Sequence, residues 1–226
     1  MAEITTICAG LNINIGTLNS RTISAMLIAG KKANELNHPV VLDPVGTGAS
    51  KLRTETAMKL LEEIQVTVIR GNISEIKTLA SGNVTTKGVD ADVADKVTEE
   101  NLDEIIAFAK AFAEKIGAVV AITGTIDIVA DSKTAYCIRN GHPMMSSVIG
   151  TGCQLSAMTA AFVTANPDTP LEAAAAAVSA MGLAGEIAYS RLSPMDGNAT
   201  YRNYIIDAIY HMTPEHLEKG AKYEVR

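Results

Sequence analysis

Pro39-Val40-Val41-Leu42-Asp43-Pro44-Val45-Gly46-Thr47-Gly48-Ala49 is the stretch on which the fold turns. Its first half is an unbroken apolar run closed by an Asp-Pro turn, which reads as a strand buried in a parallel sheet. A helix is expected next, from Thr54 to Ile64, and then a second buried strand, Val66 to Ile69. On the N-terminal side, Leu11 to Gly16 reads as a short strand ending at the Gly16-Thr17 turn. A helix follows it, capped by Asn19 or Ser20, with Ile23, Met26, Leu27 and Ala33 on one face. On the C-terminal side, Asn72 and Ser74 open a helix through Glu75, Ile76 and Leu79, and Asn101 to Ile116 is strongly amphipathic. Ala118 to Ile122 is the next strand. Ile126 to Ala130 and Thr134 to Ile138 then form an antiparallel pair around Asp131-Ser132-Lys133, and from Gly152 on the chain is mainly helical.

This alternation predicts an α/β fold, a mostly parallel central sheet with helices on both faces, over a single domain 1–226. The composition agrees. With 47% hydrophobic and 19% charged residues and no Trp, the apolar content rests on Ala, Val, Ile and Leu, which suits helices packed on a buried sheet. A net charge of −6 leaves no basic stripe for nucleic acid, although a small phosphorylated ligand needs only a few local donors. Cys8, Cys137 and Cys153 have no metal-type spacing and read as reduced thiols of a cytoplasmic protein. Leu171 to Ala188 is apolar but interrupted by Glu172, Ser179, Gly182 and Glu186, so a buried helix or subunit contact is expected rather than a membrane span. The N-terminus lacks the basic start and long apolar run of a signal peptide, and Gly82 to Glu100 is polar, expected to be a mobile excursion.

In such sheets ligands bind at the C-terminal ends of the strands. Gly16-Thr17, Asp43-Pro44, Arg70-Gly71-Asn72 and Thr123-Gly124 all fall there and should converge on one edge. Asp43 would sit at the mouth of the sheet, either as a partner for Mg²⁺ or as a cap on its own turn. Asn72 and Glu75 stand one helical turn apart, where they either address a metal–phosphate group or form a capping box. Arg70 could fork onto phosphate or make an ordinary ion pair. Thr123-Gly124 offers a hydroxyl and an open N–H, or simply a tight turn.

Gly150-Thr151-Gly152-Cys153 precedes Gln154-Leu155-Ser156-Ala157-Met158, small and apolar residues at helical spacing. A glycine turn opening onto a helix N-terminus suits an anion, because the first N–H groups are free and the dipole end is positive. Cys153 falls in that first turn, where a thiolate is favoured. The alternative is a glycine-rich corner with a buried cysteine. No Ser-His-Asp order, HExxH or CxxC pair is present, and no Gly-x-Gly-x-x-Gly follows the first strand, which sets aside hydrolase, zinc and dinucleotide readings. His142, in its Gly-Pro loop, is given no role.

Six motifs in order carry a resemblance to a family: Asn14-Ile15-Gly16-Thr17-Leu18; Val41-Leu42-Asp43-Pro44-Val45-Gly46-Thr47-Gly48-Ala49; Arg53-Thr54; Ile69-Arg70-Gly71-Asn72-Ile73-Ser74-Glu75-Ile76; Ala121-Ile122-Thr123-Gly124; and Gly150-Thr151-Gly152-Cys153. The chain resembles hydroxyethylthiazole kinase, the thiamine-salvage enzyme of the ribokinase-like superfamily, from near Leu11 to its C-terminus. The resemblance implies a ribokinase-like fold and ATP-dependent phosphorylation of the primary alcohol of 4-methyl-5-(2-hydroxyethyl)thiazole, with Mg²⁺, in a homotrimer. It implies that Arg70 and Thr123 contact ATP, that Gly150 contacts the thiazole, and that Asp43 and Glu75 serve the metal–phosphate cluster. Cys153 occupies the place where most ribokinase-like kinases carry a catalytic Asp. The backbone of Gly150 to Cys153, with Thr151 and Gly152 at its centre, is therefore expected to act as an anion hole ahead of the thiol itself.

Family members carry a strand–helix region before the position of Leu11, whereas here Met1-Ala2-Glu3-Ile4 resembles the middle of the helix preceding the first strand. That departure implies an unpaired sheet edge and an incomplete alcohol pocket. Two rival readings follow. One is a hydroxymethylpyrimidine (phosphate) kinase, which shares the Asp-Pro strand end and the Gly-Thr-Gly-Cys segment. The other is a nucleotide-binding remnant without activity.

Overall fold

The computed structural model describes residues 1–82 and 96–226. Among the described residues, seven strands lie side by side in sequence order: β1 (Leu11–Asn14), β2 (Val40–Asp43), β3 (Val68–Asn72), β4 (Val119–Thr123), β5 (Asp127–Ala130), β6 (Ala135–Ile138) and β7 (Tyr223–Val225). β1 to β4 are parallel, and β5, β6 and β7 each pair antiparallel with the strand before. The helices are α1 (Ala2–Ile7), α2 (Ser20–Glu35), α3 (Lys51–Glu63), α4 (Ile73–Ser81), α5 (Leu102–Ile116), α6 (Thr151–Ala165), α7 (Pro170–Ser190), α8 (Asn198–Tyr210) and α9 (Pro214–Gly220).

The two-residue period of a strand divides the sheet into two cores. Ile13, Val40, Leu42, Ile69 and Ile122 pack with residues of α3, α4 and α5, including Leu60, Ile76, Ile105 and Phe112. Val41, Val68, Val119 and Ala121 face the other way, against Leu155 and Val163 of α6, Val178 of α7 and Ile205 of α8. Val40, Val41 and Leu42 expose no surface, so both faces of β2 are covered. Each such side chain contributes about 1.5–3 kcal/mol through its removal from water. α7 is long and apolar enough to cross a membrane, but most of it is packed inside the fold.

The same period fixes which polar residues share a face. Asn14, Asp43, Arg70 and Thr123 lie an even number of residues from Asn12, Val41, Val68 and Ala121. All four therefore project from the C-terminal ends of neighbouring parallel strands toward the α6 side.

Local chemistry explains most boundaries. Asn19, not Ser20, caps α2, its side chain accepting from the N–H groups of Arg21 and Thr22. Ser50 caps α3, which starts three residues ahead of Thr54, the expected start. β3 begins at Val68 and runs on to Asn72, because its pairing with β4 extends through Asn72 opposite Thr123. The expected helical C-terminal part ends in β7, which pairs with β6. Most of the polar stretch Gly82 to Glu100 lies outside the described residues.

Candidate active site

The four strand ends meet α6 in one continuous polar arrangement. Asn14 stands directly opposite Asp43 in the β1–β2 register, and its Nδ2 donates to Asp43 Oδ2 at 2.8 Å. Ser156 of α6 donates to the same oxygen at 2.8 Å. Arg70 Nη1 lies 3.7 Å from Asp43 Oδ1, and Arg70 Nη2 donates to Thr123 Oγ1 at 2.7 Å. Two buried atoms are left over: among the described residues, nothing donates to Asp43 Oδ1 and nothing accepts from Arg70 Nε. Buried polar atoms without partners are rare, and here an orphan acceptor and an orphan donor belong to two side chains already in contact, which leaves both open to a ligand.

Burial dominates the electrostatics. Asp43 is fully buried, and the loss of solvent pushes its carboxyl above the usual range, against the pull of Arg70, Ser156 and Asn14. Glu75 is raised for the same reason, although the N–H groups of Gly46 and Asn72 and the Arg70 charge oppose the shift. At the start of β5, Asp127 is half-buried and accepts from the Gly124 N–H at 2.8 Å, and the loss of solvent around its carboxyl pushes it up to about 7.

α6 opens as the glycine turn requires. Gly150 stands at its N-cap with φ of +97°, a conformation that side chains disfavour, and among the described residues no side chain caps the helix. Its first N–H groups are thus free for an anion. Gly152 is required by close approach: a Cβ there would lie 2.7 Å from Arg70 Nη1 and 2.8 Å from Nη2. The Arg70 fork therefore rests directly on the first turn of α6. Cys153, on that turn, is exposed.

Glu75 stands slightly apart from this arrangement. Its Oε2 accepts from the Asn72 N–H while Asn72 Oδ1 accepts from the Glu75 N–H, both at 2.8 Å, so the capping box is formed. Its Oε1 accepts from the Gly46 N–H at 2.7 Å, which anchors the loop after β2. Thr47, in that loop, is buried, and its hydroxyl has no partner among the described residues.

Asp43, Arg70, Thr123 and Gly152 thus come together, with Gly150, Thr151 and Cys153 on the adjoining turn and Glu75 behind the loop. Sequence reasoning passed over Ser156 and Asp127, and it met Asn14 only as part of a motif. The strand register would have placed Asn14 beside Asp43; Ser156 gave no indication beyond lying one turn after the glycines. A broad groove of about 720 Å³ opens at the opposite edge, near His38, Thr67, Asp131 and Glu172, and holds none of these groups. His142 stacks on Tyr189 with ring centroids 3.5 Å apart, a packing role.

The fold is ribokinase-like, with four parallel strands, three antiparallel ones beside them, helices on both faces and the polar cluster at the C-terminal edge of the parallel strands. A ribokinase-like superfamily protein of Enterococcus faecalis shares the fold, with a TM-score of 0.60 at 13% identity over 94% of this chain and 67% of that one. Residues 1–215 match the model of the hydroxyethylthiazole kinase family, and the chain belongs to that family. A hydroxyethylthiazole kinase of Clostridium acetobutylicum is 64% identical over 222 residues, 98% of this chain and 81% of that protein. The solved structure of hydroxyethylthiazole kinase from Pyrococcus horikoshii superposes with a TM-score of 0.86 at 31% identity, covering 100% of this chain and 80% of that one.

Proposed function

We propose that the chain transfers the γ-phosphoryl group of ATP to the primary alcohol of 4-methyl-5-(2-hydroxyethyl)thiazole, giving the thiazole phosphate used to make thiamine. The observation that carries this reading is the pairing of an orphan anionic oxygen, Asp43 Oδ1, with the Arg70 fork on the open end of α6. A cation–phosphate group has both charges, and this edge of the sheet offers a partner for each. Family membership names the chemistry.

In this reading Arg70 and Thr123 hold ATP and Gly150 borders the thiazole. Asp43 would hold Mg²⁺ through its open oxygen, which suits a cation that takes one or two carboxylates besides phosphate and water. When bound, Mg²⁺ neutralises charge on the phosphates. Glu75 serves that group from behind, by fixing the Gly46 loop. The alcohol oxygen forms the new bond to phosphorus as the bond to ADP breaks, and the hydroxyl proton is given up to solvent as that bond forms. A loose transition state asks little of a base, so Thr151, Gly152 and Cys153 act mainly through their backbone N–H groups, each such donor worth about 3–4 kcal/mol in acyl-transfer precedents. A homotrimer and a cytoplasmic location belong to the same reading, carried by the family resemblance.

The test is to incubate the purified chain with Mg-ATP and either the thiazole alcohol or the hydroxymethylpyrimidine alcohol and to measure ADP. Thiazole-dependent release is the expected result. Release with the pyrimidine alone, or nucleotide binding with no release, overturns it.

A further inference from the structure

We propose that Asn14 and Ser156 are positioning residues that hold Asp43 by one oxygen, so that the other alone is offered to the cation of a cation–nucleotide complex. The proposal rests on the reading above. Both donors reach the same atom: Asn14 Nδ2 and Ser156 Oγ each lie 2.8 Å from Asp43 Oδ2. A carboxylate oxygen with two donors has used its two lone-pair positions. Oδ1 accepts no hydrogen bond among the described residues and has only the Arg70 charge, at 3.7 Å, beside it, although Asp43 is fully buried. Leaving one oxygen saturated and its twin without a hydrogen bond is costly in a fold that has only itself to satisfy, and sensible when a ligand completes the set.

The clamp is rigid on both sides. Asn14 Oδ1 accepts from the Gly16 N–H at 2.8 Å, which fixes the orientation of the amide and turns its nitrogen to Asp43. Ser156 has a single proton and two acceptors in reach, Asp43 Oδ2 at 2.8 Å and its own Gly152 carbonyl at 3.3 Å; the shorter contact takes it. Ser156 also lies one turn beyond the Gly150–Cys153 opening of α6. One O–H···O bond therefore ties the carboxylate that would face the cation to the helix that would face the phosphate. Outer partners of this kind set ligand geometry, and their loss costs about tenfold to a hundredfold in metal affinity.

The test uses Mn²⁺ with ADP on the whole chain, reading free Mn²⁺ by electron paramagnetic resonance alongside steady-state kinetics. Ser156→Ala, which removes one oxygen atom, should weaken Mn²⁺ binding about tenfold and lower kcat in proportion, leaving the KM for the thiazole alcohol within about twofold. Asn14→Ala should do the same, and Ser156→Thr, which keeps the hydroxyl, should recover most of the Mn²⁺ affinity. Wild-type Mn²⁺ affinity in Ser156→Ala and Asn14→Ala overturns the clamp, as does a rise in alcohol KM equal to the loss of Mn²⁺ affinity. If the unaltered chain holds no Mn²⁺ beside ADP, the cation reading itself fails and the clamp with it. If it does, and the variants hold Mn²⁺ as tightly, only the clamp fails.

Discussion

Gly152 separates stability from function in a single residue. In the interior of a first turn, replacing Gly by Ala ordinarily favours the helix by up to about 1 kcal/mol. Here the new methyl would fall within 2.8 Å of both terminal nitrogens of Arg70, the far end of a long side chain that can swing away. The fold should tolerate Gly152→Ala, but the guanidinium would leave its place between Thr123, Asp43 and the α6 N-terminus. The helix gain is offset by the lost Thr123 bond and Asp43 ion pair, so a melting temperature at or somewhat below that of the unaltered chain is expected, together with a KM for ATP raised about tenfold, the effect of losing roughly 1.4 kcal/mol of contact. Calorimetry and initial rates check the two halves separately. An unchanged KM would show that Arg70 does not hold nucleotide from this position.

At the scale of elements, β3 passes into α4 without a loop, since Asn72 is both the last strand residue and the helix cap. The reciprocal bonds of Asn72 and Glu75 make that abrupt turn possible, and Glu75 also holds the Gly46 N–H. Losing the cap in Asn72→Ala should cost about 1 kcal/mol. Glu75→Gln should cost more, about 1–3 kcal/mol, because its amide nitrogen would face a buried backbone N–H. Urea unfolding of the two variants gives the ranking, and the reverse order would mean that Glu75 is not essential to the loop.

This junction also shows how far the sequence could be read. Asn72 and Glu75 were legible as a capping box because capping is local, and β1 to β6 were legible because their apolar runs lie between turn residues. Tyr223-Glu224-Val225 was not, since three residues show no period and become a strand only by pairing with β6, far away in the chain. The site divides in the same way. Asp43, Arg70 and Thr123 stand at strand ends, where topology alone directs attention. Ser156 reaches Asp43 across 113 positions, and only the packing of α6 on β2 brings them together.

For the whole molecule, the titration of Asp127 links stability to the site. It lies just past the Thr123-Gly124 turn, holds at 2.8 Å the N–H of Gly124, which follows the threonine that holds Arg70, and feels the Arg70 charge. Burial raises its carboxyl from 3.8 to about 7, outweighing the Gly124 bond and the Arg70 charge. A carboxyl raised on folding binds its proton more tightly in the folded chain than in the unfolded one. Its contribution to stability is therefore complete below about pH 4 and is lost as pH rises through about 7. Asp43 and Glu75 are raised too and act in the same direction. Glu63, Glu99, Glu186 and Asp196, which are lowered, act oppositely. The raw pH profile mixes all of these, and a difference isolates one. Asp127→Asn keeps an acceptor for Gly124 and cannot ionise. The stability of the unaltered chain minus that of this variant should therefore fall steadily between about pH 4 and pH 8, read by urea unfolding at several pH values. Parallel profiles would show that Asp127 titrates alike in both states. If the difference does fall, the folded chain carries an ionised, desolvated Asp127 beside the Thr123-Gly124 turn only as pH passes through about 7, and the KM for ATP should rise there in the unaltered chain alone.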